Sequence, residues 1–181
     1  MTAVAEKPDI SRALKIHGYM QEAELEQLGK WAQTHPVIIE IGSYLGRSTR
    51  ALADNTEGTV WAVDDWYGPR DVKLYEPDRK SIFGWFCDNM ADHIRSFKVV
   101  PMRANTHIGY PMFWFTPDMI FIDGSHEYED VVRDINWART VMPNGLLCGH
   151  DSTHSAVFNA LCDTLRRFER VPETTLWYTG E

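Results

Sequence analysis

VIIEIGSYLGRST, residues Val37 to Thr49, is the stretch that decides the fold. Val37 to Ile41 is an apolar run broken only by Glu40, Gly42 and Gly46 bracket a turn, and Ser48 and Thr49 open a helix. The reading is buried strand, tight turn, helix. Such a turn brings the free N–H groups of a helix N-terminus up to whatever lies beyond the strand end. An acidic side chain near that end can accept hydrogen bonds from a ligand hydroxyl or ammonium. Small residues at this spacing also serve close packing of a helix on a strand, so the flanking segments have to decide.

Working outward, Arg47 to Asp54 continues as the helix, and Thr59 to Val63 (TVWAV) is a second short apolar strand closed by Asp64 and Asp65. An acidic residue about 20 positions past the first glycine is where a βαβ unit grips a ribose, whose two hydroxyls need acceptors. Further strands are expected at Phe97 to Met102, Asp118 to Ile122, Gly145 to Cys148 and Leu176 to Thr179. Helical spacing of apolar residues predicts helices from Gln21 to Trp31, Arg79 to Ile94, Tyr128 to Val141 and His154 to Phe168. Continuously apolar strands alternating with helices mean an α/β fold: a Rossmann-like, doubly wound, mostly parallel sheet of six to seven strands with helices on both faces. Residues 1–181 form one domain on this reading, with 1–17 as a loosely ordered end and 66–96 as a loop and helix suited to covering a substrate.

Composition narrows the function classes. A length of 181 residues suits one core, and 44% hydrophobic with 24% charged residues is an ordinary globular balance. A net charge of −8 argues against a nucleic-acid partner, since phosphate backbones are bound by clustered Lys and Arg. The cluster Arg166, Arg167 and Arg170 falls late in the last expected helix, where cations offset the helix dipole. Cys87, Cys148 and Cys162 are too scattered for a disulfide framework or a structural zinc site. With no secretory leader pattern and no apolar run of membrane-spanning length, a cytoplasmic setting without membrane contact is expected.

Ligands of such sheets bind beyond the C-terminal strand ends. Standing there are Glu40 with Gly42, Asp64 with Asp65, Asn105 with Thr106, Asp123 with His126, and His150 with Asp151. A packed fold does not require a polar residue at nearly every strand end, and five together favour a site.

Four segments in order, EIGSYLGRST (Glu40 to Thr49), VDDW (Val63 to Trp66), FIDGSHEYEDVVRDI (Phe121 to Ile135) and PNGLLCGHD (Pro143 to Asp151), resemble the class I S-adenosylmethionine-dependent methyltransferases. The nearest likeness is to the group of catechol-type and macrolide-sugar O-methyltransferases, and it spans about Gly18 to the C-terminus. Tyr44 stands where the commonest form of the turn has its second glycine, which separates it from a plain dinucleotide loop. The resemblance implies S-adenosylmethionine as cofactor. It places Glu40, Gly42, Ser43, Tyr44, Gly46 and Ser48 in the cofactor turn and Asp64 on the ribose. It also sets Trp66 against the adenine and Asn105 and Thr106 near the adenine amine, and counts Asp123 among the cofactor-binding residues.

The resemblance also implies a divalent cation on Asp123, His150 and Asp151. Magnesium is the first choice, while the histidine leaves manganese open. His126 falls where the catechol-type enzymes have their proton acceptor, so His126 and Asp123 are the expected catalytic residues. An imidazole with an ordinary pKa of about 6.5 suits proton transfer at neutral pH. Asp151 as a helix cap and His126 as a plain loop residue are the structural alternatives.

The expected activity is metal-assisted methyl transfer to a small-molecule or sugar hydroxyl. A catalytically silent S-adenosylmethionine-binding module and a nucleotide-dependent oxidoreductase are the alternatives. Aromatics at Trp66, Tyr67, Tyr75, Trp85, Phe86 and 113–115 could stack on a sugar or aryl ring, and a core or a homodimer interface would use them equally well. Arg70, Lys73, Arg79 and Lys80 would meet an anionic acceptor if they are not simply solvated.

Overall fold

A computed structural model of the chain describes residues 6–68, 81–106 and 108–179. Its elements in order are α1 (Glu22–Ala32), β1 (Val37–Ile41), α2 (Arg47–Asn55), β2 (Thr59–Asp64), α3 (Ser81–Asn89), α4 (Ala91–Arg95) and β3 (Val99–Arg103). There follow β4 (Met119–Ile122), α5 (Tyr128–Val141), β5 (Leu146–Gly149), α6 (Ser155–Thr164), β6 (Glu169–Arg170) and β7 (Trp177–Tyr178). Among the described residues the strands form one seven-stranded sheet in the order β3-β2-β1-β4-β5-β7-β6. The first five are parallel, and β7 runs antiparallel between β5 and β6.

The continuously apolar strands are buried on both faces, as their composition requires. On one face Ile38, Val60, Ala62, Met119 and Phe121 pack with α1, α2 and α3 residues such as Leu25, Leu28, Leu52 and Phe86. On the other, Ile39, Ile41, Ile120, Ile122 and Leu147 pack with Val131, Ile135, Val157 and Leu161 of α5 and α6. The chain leaves β1 toward β2 on one side and returns through β4 on the other. The resulting crevice beyond the β1 and β4 ends is where such sheets take ligands.

Three sequence expectations change. The described part of the N-terminal segment is not loose: Ile10, Ala13 and Ile16 are buried in the core, and Ala13–Lys15 forms a 3-10 turn. Arg12 anchors it, donating through Nε to Asp54 at 3.0 Å and through Nη1 to Asp92 at 2.6 Å. The helix expected over Arg79 to Ile94 breaks at Met90 into α3 and α4, and Arg79, Lys80, Arg70, Lys73 and Tyr75 lie outside the described residues. The last helix stops at Thr164, whose hydroxyl donates back to Ala160 O at 2.6 Å, and Leu165 turns extended. Leu165 and Phe168 keep helical spacing while the chain is already leaving the helix. The arginines are therefore not a helix end: Arg170 lies in β6 with its guanidinium 5.3 Å from the Phe158 ring, and Arg167 pairs with Glu169.

Among the described residues no helix is long and apolar enough to cross a membrane. The aromatic segment at 113–115 packs around Trp61, whose ring centroid lies 5.9 Å from Phe113, 5.5 Å from Trp114 and 4.9 Å from Phe115.

Candidate active site

A cavity of about 610 Å³ opens beyond the strand ends, lined by the β1–α2 turn, Asp64 and Asp65 after β2, Ala104 to Thr106 after β3, Asp123 to Glu127 after β4, and His150, Asp151 and His154. Gly18, Tyr19 and Met20 close one side.

The turn is held by close approach. Gly42 has φ +89°, and a Cβ there would lie 2.1 Å from the carbonyl oxygen of Asp123, so only glycine lets the ends of β1 and β4 meet. Tyr44 is also in the left-handed region, at φ 45°, and its ring stacks on Tyr19 at 6.3 Å. At the start of α2 the cap residue is Gly46, which brings no side-chain acceptor to the first amides. Those amides, beside Ser43 and Ser48, fit a carboxylate such as the methionine end of S-adenosylmethionine.

Two expected cofactor contacts lie behind the wall instead of on it. Glu40 is fully buried, and its Oε2 accepts from the hydroxyls of Ser43 at 2.7 Å and of Thr49. Burial pushes its carboxyl up to about 7, and its second oxygen has no hydrogen-bond partner among the described residues. Glu40 thus braces the turn from beneath. Trp66 is equally buried; its Nε1 donates to Tyr44 O at 3.0 Å and its ring packs on Phe83 and Phe86. An aromatic just past a strand end can serve a ligand or the core, and here the neighbouring α3 supplies a core.

Asp64 lines the cavity but turns both oxygens to the chain, accepting from Tyr44 N at 2.8 Å and Trp66 N at 2.6 Å. Asp65 reaches the amide of Asn105 at 3.3 Å, which joins the β2 and β3 ends where a nucleoside would sit. Each oxygen of Asp64 carries two lone pairs, so a bonded carboxylate of this kind can still accept from a ligand hydroxyl. The loop after β3 is pinned from outside the cavity: the Tyr110 hydroxyl donates to the buried Asp134 at 2.5 Å, and the Tyr110 ring stacks on Trp137 at 4.4 Å.

The opposite end of the cavity is ionic. Asp123, His150 and Asp151 each present one donor atom, and these atoms lie within 4.8 Å of one another. His150 Nδ1 is 3.0 Å from Asp151 Oδ2 and 3.5 Å from Asp123 Oδ1, while His150 Nε2 is 3.1 Å from Glu24 Oε2. Burial opposes a charge on His150, but the three carboxylates outweigh it and raise the imidazolium to about 12. Glu24 is held down to about 2 against its burial by His150 and by backbone donors, and Asp151 is held below the usual carboxylate range by His126 and His150. His126 Nε2 lies 2.8 Å from Asp151 Oδ2, and its ring is 5.3 Å from that of His154.

Two carboxylates and an imidazole converging so closely fit a divalent cation, with oxygen ligands favouring a hard ion and the nitrogen widening the choice. Glu24 and His154 join this end without having been singled out in the sequence. Glu24 reads there as one of several glutamates on an amphipathic helix. His154 reads there as the first residue of the last helix.

A methyltransferase-domain family profile matches residues 39–152, from the middle of β1 to just past His150 and Asp151. No curated protein matches the chain in sequence. Among solved structures, cofactor-bound Rv0187 from MTB superposes with a TM-score of 0.69 at 16% identity, covering 98% of this chain and 91% of its own. An O-methyltransferase from Bacillus cereus in complex with SAH gives 0.65 at 12% identity, covering 99% and 94%. The O-methyltransferase TomG from Streptomyces achromogenes in complex with SAM gives 0.63 at 14%, covering 98% and 90%. The likeness extends over nearly the whole of each chain, and the family match removes the oxidoreductase alternative. The family profile spans well over half the sequence and falls on the strands and turns that build the cavity, so the chain belongs to the methyltransferase-domain family and is a class I S-adenosylmethionine-dependent methyltransferase.

Proposed function

We propose that the protein is a divalent-metal-assisted O-methyltransferase acting on a hydroxyl of a small molecule or sugar in a cytoplasmic setting. The convergence of Asp123, His150 and Asp151 at one end of the cofactor cavity carries this reading. Solved relatives described as O-methyltransferases, bound to SAM or SAH, support the acceptor atom. S-adenosylmethionine supplies an electrophilic methyl group, and magnesium or manganese on Asp123, His150 and Asp151 would lower the pKa of an acceptor hydroxyl and fix its oxygen.

The chain's own residues would then divide the work. The amides of the β1–α2 turn, with Ser43 and Ser48, hold the cofactor carboxylate, and Asp64, Asp65 and Asn105 hold the nucleoside end. A fixed cofactor and a fixed acceptor turn a bimolecular displacement into an in-line, effectively unimolecular one. His126, whose Nε2 lies 2.8 Å from Asp151 Oδ2, takes the acceptor proton. Glu40 and Trp66 contribute by keeping the turn in place.

Methyl transfer to a panel of hydroxyl acceptors, measured with magnesium, with manganese and after chelation, tests this directly. Asp151→Ala should lose activity and its metal dependence together, while still binding S-adenosylhomocysteine. His126→Ala should lower turnover about 10²-fold or more and flatten the rate profile between pH 6 and 8. Full activity of Asp151→Ala in chelator would remove the metal from the reading, and an unaltered His126→Ala profile would remove the base.

A further inference from the structure

Glu24 joins the ionic end from outside the strand-end motifs. It lies in the first turn of α1, well over a hundred residues before His150, and it is 2% exposed. A carboxylate so buried is costly unless every lone pair is used. Oε1 accepts from both the amide and the hydroxyl of Thr175, each at 3.0 Å. Oε2 accepts from the Gln21 amide at 2.8 Å and stands 3.1 Å from His150 Nε2. The side chain is therefore clamped by Thr175 and Gln21, and only its position relative to His150 looks toward the site.

His150 has two ring nitrogens with different surroundings. Nδ1 faces Asp123 and Asp151, and Nε2 faces Glu24. An imidazole can give a lone pair to a cation from one nitrogen only while the other carries the proton. Carboxylates face both nitrogens of the ring, so a cation on Nδ1 must displace the proton there. Glu24, 3.1 Å from the buried Nε2, keeps the remaining proton on that side and makes the ligating nitrogen more basic. Without such a partner, the proton could sit on Nδ1 and point into the space between Asp123 and Asp151, where a cation would be repelled.

We propose that Glu24 is a positioning residue that fixes His150 as the Nε2–H tautomer and so directs the Nδ1 lone pair at a divalent cation shared with Asp123 and Asp151. This rests on the metal-assisted reading above. It adds a residue from outside the matched family segment, since Glu24 precedes residue 39. It also draws α1 into the site, because the helix that follows the cavity-lining Gly18 to Met20 carries the carboxylate that orients His150 in the same cavity.

Metal binding itself reads the effect. Manganese titration followed by electron paramagnetic resonance, with S-adenosylhomocysteine affinity measured in parallel, compares the wild type with Glu24→Gln and Glu24→Asp. Glutamine keeps an acceptor but also offers N–H to Nε2, so it permits the other tautomer. Glu24→Gln is expected to bind manganese about 10- to 100-fold more weakly while cofactor affinity stays within a few-fold, and Glu24→Asp to recover part of the loss. Nitrogen-15 spectra of the His150 ring in the magnesium-loaded wild type should show a protonated Nε2 and an unprotonated Nδ1, an outcome that holds even if a variant fails to fold. Unchanged manganese affinity in Glu24→Gln, or a protonated Nδ1 in the loaded wild type, overturns the positioning role alone. A wild type that binds S-adenosylhomocysteine but no divalent ion overturns the metal reading, and the proposal with it.

Discussion

Asp134 shows how much a single side chain away from the cavity governs. It is buried in α5, accepts the Tyr110 hydroxyl, and has its carboxyl pushed up to about 7 by burial. A raised acid binds its proton more tightly in the folded chain than in the unfolded one, whose value is near 3.8. Folding stability from this group is thus full at pH values below about 4 and declines as pH rises toward about 7, where ionisation is forced on the folded state. Asp134→Asn keeps an acceptor for Tyr110 and removes the charge. It should leave stability near pH 4 almost unchanged and raise it by about 1–3 kcal/mol at pH 8. Urea unfolding at the two pH values checks this, and equal effects at both would mean that the aspartate is ionised without penalty. The Tyr110 pKa moves upward for related reasons, burial first and the Asp134 charge second.

At the scale of elements, the β1–α2 turn depends on one absent methyl group. Gly42→Ala would place Cβ 2.1 Å from Asp123 O at a φ of +89°, so β1 and β4 must part. The expected cost is about 2–4 kcal/mol in stability, through strain and displaced packing, with loss of S-adenosylhomocysteine binding by at least an order of magnitude. Calorimetry and thermal unfolding read both, and near-normal cofactor affinity would show that the turn tolerates the shift. This motif was plain in the sequence because an apolar strand, two glycines and a helix start leave few alternatives. The strand-end residues Asp123, His150 and Asp151 were equally legible: parallel strands place their ends side by side, so order along the chain predicts nearness in space. Less could be read for Trp66 and Glu40, because burial or exposure depends on what packs beside a turn. Glu24 was hidden altogether. Its partners Thr175 and His150 are brought to it by the sheet, and its local signature is a capping box at the start of an ordinary helix.

For the whole molecule, the N-terminal segment is a structural wall. Arg47, at the start of α2, donates to the carbonyls of Met20 at 3.0 Å, Ile16 at 2.7 Å and Leu14 at 3.3 Å, while Arg12 meets the Asp54 side chain, itself 2% exposed. His93 Nε2 lies 2.6 Å from the same aspartate. A variant lacking residues 1–17 loses the burial of Ile10 and Ile16, worth about 1.5–3 kcal/mol each, and leaves Arg47 without two of its acceptors. The expected fall in melting temperature is about 10 °C or more, with weaker cofactor binding because Gly18 to Met20 lose their support. A truncation that melts within a few degrees of the full chain would show the segment to be accessory.

The antiparallel pair β6–β7 reaches into the ionic end of the cavity. Trp177 donates from Nε1 to His150 O at 3.1 Å, its ring fills the space a Cβ at Gly149 would occupy, and Thr175 between the two strands holds Glu24. The carbonyl of His150 and the clamp on Glu24 both depend on residues 175–177. The ionic end of the cavity is therefore completed by the antiparallel pair at the edge of the sheet.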